Sequence, residues 1–349
     1  MPLGLYVDKP ENITLRDIPQ LALTSRQVRI RPTLAVIKHG TTFHLLSGMT
    51  PFSSRNFDKN LRLFVDQVEP LAHRNLVGTF VGNMVAGSIV EIGSEVRNFK
   101  TGDRAFCHAP ACELVALNES EVHHAVPSMS DSDALCLDPA LFAYAAVRDA
   151  RICIGDNVAV FGLGAIGLFI VQLLRRCGCL NIIAVDPLET RRRLAEKFGA
   201  TLTLDPKCND VGLKSREVLG AGADIAIEAS GSYAALNDAI RSVRQCGRVV
   251  TLGYYRGKAS DLNLSAEWLH NRLEMLCSLP DWNNPSREFP AWDRNRMWNT
   301  LIELFSKGML TSEGILCPIV SLEDAPRTFM QIYASPGQSV KMGIRFREL

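Results

Sequence analysis

The sequence predicts an α/β protein with two parts, a small partly open β-barrel followed by a doubly wound parallel sheet. Three observations predict it. The first is length: 349 residues exceed the roughly 250–300 that a single hydrophobic core supports. The second is the pattern up to about residue 150. Segments such as "ITLRDI" (13–18), "QVRIRP" (27–32), "SIVEIG" (88–93) and "DRAFCH" (103–108) are short, partly alternating, and separated by Gly, Asn, Asp and Pro. The third is a change of rhythm near Gly155, where apolar strands begin to alternate with amphipathic helices.

In chain order, "NVAVFG" (157–162) is a strand and "AIGLFIVQLLRRCG" (165–178) a helix. "NIIAVD" (181–186) and "LETRRRLAEKFGA" (188–200) repeat the pair. "ADIAIEAS" (223–230), a helix from about Tyr233 to Arg244, "GRVVTLG" (247–253) and "LEMLCS" (273–278) continue it. A polar stretch after Asp281 interrupts the alternation, and a helix over Met297–Lys307 and the strand "VKMGIRF" (340–346) close the chain.

Composition excludes several classes. Lys plus Arg (38) nearly balances Asp plus Glu (37), so no global field draws in nucleic acid or an anionic membrane. The longest apolar run, Val158–Val171, is broken by glycines and too short to span a bilayer. The opening "MPLGLYVDKPEN" lacks the cationic and apolar regions of a secretory signal. The ten cysteines are scattered through apolar stretches, as expected of reduced thiols in a cytoplasmic protein.

The strongest motif is the G-x-G-x-x-G of Gly162, Gly164 and Gly167, between a predicted strand and a predicted helix. The first glycine permits the tight turn, the second the approach of a pyrophosphate, and the third close packing of helix on strand. The intervening Leu163, Ala165 and Ile166 complete the loop, whose N–H groups face the phosphates at a helix N-terminus. About twenty residues on, Asp186 ends the next strand, where a carboxylate accepts the adenosine ribose hydroxyls and repels a 2′-phosphate. That favours NAD over NADP. Arg191, Arg192 and Arg193 follow and read as the solvated face of a helix, with contact to a 2′-phosphate as the other possibility. Ser230, Gly253 and Tyr254, at the ends of later strands, are assigned to the same cofactor site; Tyr254 or Tyr255 flanks the cofactor or packs at the sheet edge.

In this order the signals resemble the medium-chain dehydrogenase/reductase superfamily of zinc alcohol and polyol dehydrogenases. "GSIVEIGSEVRNFKTGDRAF" (87–106) is similar to its barrel signature, "VFGLGAIG" (160–167) to its cofactor loop, and "ILCPIVSLEDAPRTF" (315–329) to the segment returning to the first domain. The resemblance implies a GroES-like catalytic domain over 1–150, a Rossmann domain over 151–285 and a C-terminal return over 286–349. It also implies a homodimer or homotetramer acting on a small molecule.

Zinc members carry a C-G-T-D-x-H turn, a G-H-E triplet and, in the polyol branch, an E-P dipeptide. Here "HGTTFH" (39–44) puts His39 where the cysteine stands, "GNM" supplies Asn83 and Met84, and Asp138–Pro139 replaces E-P. Asn and Met are poor zinc ligands, and only Cys107 and Cys112 remain where a four-cysteine zinc lobe would lie. No metal site is therefore expected. By the same resemblance Thr41 and His44 form a proton relay. His39 takes over part of the metal's task by donating to the substrate oxygen, with Asp138 orienting its ring.

The expected activity is NAD-dependent hydride transfer at a secondary alcohol or ketone of a sugar, cyclitol or similar polyhydroxylated metabolite. An NADPH-dependent enone or quinone reductase is the alternative within the superfamily, opposed by Asp186. A non-catalytic dinucleotide-binding protein is the other, opposed by retention of Thr41 and His44. The stretch Met49–Asn75 is expected to form part of the wall of the substrate cleft.

Overall fold

The computed structural model describes residues 1–19, 22–46, 55–66, 76–255, 257–259, 261–280 and 292–347, without the side chains of Thr41, His44, Leu45 and Gln338. The chain divides into two compact units, Met1–Leu135 with Leu316–Leu349, and Cys136–Ile315.

The first unit begins with the hairpin β1 (Leu3–Lys9) and β2 (Asn12–Asp17), then β3 (Gln27–Val36) and helix α1 (His39–Leu46). A second hairpin, β4 (Arg55–Asp58) with β5 (Leu63–Asp66), falls within the 49–75 stretch, whose residues 49–54 and 67–75 lie outside the described residues. There follow β6 (Gly82–Ile92), β7 (Arg104–Pro110), β8 (Val115–Asn118), β9 (Val122–His124) and the short helix α2 (Asp131–Leu135).

The second unit comprises α3 (Leu137–Asp149), β10 (Asn157–Phe161), α4 (Ala165–Cys177), β11 (Asn181–Val185), α5 (Glu189–Lys197) and β12 (Leu202–Leu204). It continues through α6 (Val211–Leu219), β13 (Ala223–Glu228), α7 (Tyr233–Ser242), β14 (Val243–Thr251), β15 (Glu274–Cys277) and α8 (Arg294–Ser306). The chain then re-enters the first unit with β16 (Leu316–Ser321), α9 (Ala325–Ala334) and β17 (Lys341–Arg345).

In the first unit the described strands form a sheet in the order β16-β17-β3-β6-β7-β9, with β8 also pairing β3. All pairings are antiparallel except β16 with β17. The alternation read from β3 buries Val28 and Ile30 on one face, packed with Ile89, Phe329 and Ile344. His123 and His124 point to opposite faces, one stacked on Phe106 and the other on Phe99.

The second unit is a parallel sheet in the order β12-β11-β10-β13-β14-β15. The strand order reverses between β10 and β13, which makes the carboxyl ends of these two strands the topological switch point. Continuous apolar strands are needed because helices cover both faces; Val158 to Phe161 and Ile182 to Val185 are all buried. Helix α7 stops at Ser242, short of the expected Arg244, because Val243 is already extended and pairs with Ala223. Residues 281–291 of the polar stretch lie outside the described residues.

Candidate functional site

The glycine loop sits at the switch point. Gly162 adopts a φ of 85°, and a Cβ there would lie 2.7 Å from the Cβ of Ser230, so only glycine lets the loops after β10 and β13 touch. Gly167 packs its backbone against the Gly162 carbonyl; an added Cβ would sit 1.9 Å from that oxygen. Gly164 differs, since no atom lies within 4 Å of where its Cβ would be. It is the N-cap of α4 and brings no side chain to the helix's first N–H groups, which Ala165 and Ile166 begin. The loop is thus closed where it packs and open at the N-terminus of α4, the kind of place that suits a phosphate.

Asp186 lies just past β11 and is 4 % exposed. Its carboxylate accepts the Leu163 N–H at 2.8 Å and the Leu188 N–H at 2.9 Å, tying the glycine loop to the turn after β11. The three arginines that follow are not one solvated face. Arg193 is exposed and pairs with Glu189, but Arg191 and Arg192 lie mostly covered. Arg192 donates to the Asp186 carbonyl at 2.7 Å and pairs with Asp205, and the Arg191 guanidinium stands 3.8 Å from the Asp186 carboxylate. Placement of α5 against the end of β11 turns these two inward.

Ser230 and Gly253 follow β13 and β14. A Cβ on Gly253 would lie 2.2 Å from the Gly231 nitrogen, so these loops also interlock. Tyr254 is 42 % exposed, while Tyr255 turns inward and donates its hydroxyl to Glu228 at 2.5 Å. The cofactor candidates Gly162 to Gly167, Asp186, Ser230, Gly253 and Tyr254 therefore gather along one edge of the second unit.

The expected turn at residues 39–44 is instead the start of helix α1, closed by Thr42 N–H donating to the Lys38 carbonyl at 2.9 Å. The His39 ring stacks on Phe43 and meets Phe329 edge-on. Its Nε2 accepts the main-chain N–H of Met342, on β17, at 3.1 Å. An N–H aimed at Nε2 requires that nitrogen to be unprotonated, so in the neutral ring the proton sits on Nδ1. Buried Lys341, the neighbour of Met342, donates to the Ile37 carbonyl at 3.2 Å and joins β17 to the chain entering α1. Thr41 and His44 lie on the same helix, their side chains outside the described residues. Asp138 is buried in the first turn of α3, in the other unit, where a helix N-terminus favours negative charge.

Among the described residues, the donors at the positions matched to the zinc members do not suit a catalytic zinc. His39 Nε2 already has an N–H directed at it, and the Met84 thioether is fully buried. Asn83 uses its main-chain oxygen towards His108 Nδ1 at 3.2 Å. Burial pushes the Cys107 and Cys112 thiols up to about 12, away from the thiolate a metal requires. Among the described residues no three His, Cys, Asp or Glu side chains are grouped to hold a metal.

A family model described as zinc-binding dehydrogenase matches residues 165–289. Over nearly its whole length the chain is 33 % identical to D-guloside 3-dehydrogenase of Escherichia coli K12, covering 98 % of this chain and 99 % of that one. The chain belongs to the medium-chain dehydrogenase/reductase superfamily. Its members are oxidoreductases, and this chain is an enzyme of that kind. Two solved structures share the α/β architecture. A zinc-binding dehydrogenase from Sinorhizobium meliloti 1021 bound to NADP has a TM-score of 0.77, 20 % identity and 99 % coverage of both chains. A short chain alcohol dehydrogenase from E. coli CFT073 complexed with NADH has a TM-score of 0.75, 18 % identity and 99 % coverage of both. Among the described residues no helix is long and apolar enough to cross a membrane.

Sequence reasoning within the superfamily pattern missed two groups and read a third as solvated. Glu228 gave one signal, an acidic residue ending an otherwise apolar strand. Arg191 and Arg192 were noted but placed on a solvated face, since helix periodicity does not say which sheet strand a helix lies against. Lys341 and Met342 lie about three hundred residues from His39, and only strand pairing brings them to it.

Proposed function

We propose that this chain is a nicotinamide-dependent dehydrogenase that oxidises a secondary hydroxyl of a sugar, cyclitol or similar polyhydroxylated metabolite, with NAD as cofactor and without a catalytic zinc. The observation that carries the substrate class is end-to-end similarity to an enzyme named for dehydrogenating a D-guloside at position 3. The site residues support the rest. Asp186, with one carboxylate oxygen on the Leu163 N–H of the glycine loop and the other on the Leu188 N–H of the turn after β11, favours ribose hydroxyls over a 2′-phosphate.

The bound nicotinamide supplies the hydride acceptor. The chain's own residues hold it and manage the proton. The start of α4 after Gly164 presents backbone N–H groups of Ala165 and Ile166 to the pyrophosphate, Leu163 holding the loop to Asp186, and Ser230, Gly253 and Tyr254 border the other half of the cofactor. His39 polarises the substrate oxygen as a hydrogen-bond donor through Nδ1; the Met342 N–H on Nε2 bars that nitrogen from serving as base. The substrate proton therefore leaves through the Thr41–His44 relay, histidine being suited to that work near neutral pH. Asp138 completes the proposed catalytic set, and the working form is a homodimer or homotetramer in the cytoplasm.

The test is turnover of a panel of sugars, glycosides, cyclitols and simple alcohols with NAD⁺ and NADP⁺, with and without chelator, on protein analysed for metal. Activity on polyhydroxylated substrates with NAD⁺, unchanged by chelation, is the expected result. Preference for NADP⁺ would assign Arg191 to a 2′-phosphate, and stoichiometric zinc required for turnover would overturn the metal-free mechanism.

A further inference from the structure

Glu228 ends β13 and has no solvent exposure, a costly place for a carboxylate unless donors surround it. They do. Its side chain accepts the Ser230 N–H at 2.7 Å, the Ser230 hydroxyl, the Gly231 N–H at 3.1 Å and the Tyr255 hydroxyl at 2.5 Å. Burial pushes the Glu228 carboxyl up from its ordinary range, and these four donors pull against burial. Its main-chain oxygen also accepts the Leu252 N–H at 3.0 Å. One residue thereby holds both the loop after β13 (229–232) and the loop after β14 (252–255).

The lock extends in both directions. Ser230, fixed by Glu228, lies against Gly162 of the cofactor loop, where no Cβ fits. Tyr255, fixed by the same carboxylate, stacks on Tyr233 with ring centres 5.1 Å apart, and Tyr233 donates to the Gly257 carbonyl at 3.3 Å. In a doubly wound sheet of this order, the β10–β12 half serves the adenosine and the β13–β15 half the nicotinamide. Asp186 secures the first half through Leu163 and Leu188; Glu228 performs the corresponding task in the second, for loops that carry Ser230, Gly253 and Tyr254.

We infer that Glu228, acting with Tyr255, is a positioning residue for the nicotinamide half of the cofactor, setting the loops after β13 and β14 without itself touching the reacting atoms. This rests on the nicotinamide reading of the site. Glu228→Gln puts an amide donor among four donors, and Tyr255→Phe removes one donor while keeping the ring stack. The experiment measures, on the full-length chain, the affinity for NADH by fluorescence, the affinity for ADP by calorimetry, and kcat. NADPH and 2′,5′-ADP replace these probes if the wild type binds NADPH more tightly.

The expected result is ADP affinity within about twofold of wild type in both variants, with NADH weakened about tenfold and kcat lowered. Glu228→Gln should show the larger effect. Loss of ADP and NADH affinity in parallel would overturn the inference, because Glu228 would then support only the fold. Unchanged NADH affinity in both variants would overturn it as well. If Glu228→Gln does not fold, Tyr255→Phe decides by the same criteria. A folded wild type that binds neither NADH nor NADPH would instead sink the cofactor reading, and the inference with it.

Discussion

Two glycines three residues apart in one loop should respond in opposite ways to the same substitution. At Gly164 no atom lies within 4 Å of an added Cβ, and its φ of −70° suits any residue. Gly164→Ala gains a few tenths of a kcal/mol from lower chain entropy and loses a similar amount as a poorer N-cap. The net change in stability is within about 1 kcal/mol, or about 2–4 °C in Tm for a unit of this size. The added methyl, however, occupies the space a phosphate needs to reach the N–H groups. Losing one charge-assisted hydrogen bond costs about 1.5–3 kcal/mol, which is about 10–150-fold in Kd. At Gly167 the added Cβ meets the Gly162 carbonyl oxygen at 1.9 Å, so the helix must shift off the strand. Gly167→Ala should cost about 1–3 kcal/mol of stability before any ligand is present. Differential scanning fluorimetry and NADH titration separate the two. A Gly164→Ala protein that binds NADH and NADPH like the wild type would refute the assignment of this loop to a dinucleotide pyrophosphate.

The remaining predictions address the rest of the site. His39→Ala should lower kcat by about 10²–10⁴-fold while leaving NADH affinity within about twofold, and intact turnover would exclude His39 from the mechanism. Asp186→Ser should move preference from NAD⁺ towards NADP⁺, since Arg191 stands 3.8 Å from the carboxylate; kcat/KM ratios measure it, and an unchanged ratio counts against Asp186 as the discriminator. Native-state thiol titration at pH 8 should modify the exposed Cys153, Cys208, Cys246, Cys277 and Cys317. Cys107 and Cys112, pushed up to about 12 by burial, should react only after denaturation, and early reaction of either would contradict their packing.

The local geometry of the candidate cofactor loop was largely legible in the sequence. Such a loop is a local structure: strand, three glycines, helix and the aspartate at the next strand's end all lie within the thirty residues from Asn157 to Asp186. Hydrophobic periodicity likewise determined a parallel sheet with helices on both faces, because a strand buried on two sides has to be apolar throughout. The surroundings of the candidate catalytic residues were less legible for a physical reason. Which nitrogen of His39 carries the proton depends on a Met342 N–H some three hundred residues away, and no local pattern encodes that partner. The same holds for Arg191 and Arg192, whose inward direction is set by α5 lying on β11, and for Glu228, whose four donors come from two loops joined only by strand pairing. The sequence by itself determined the superfamily architecture, the strand–glycine loop–helix unit and the identities of the residues at the positions where zinc members carry ligands. Tertiary structure alone decided which atoms those residues offer, because a hydrogen-bond partner distant in sequence fixes tautomer, burial and orientation together.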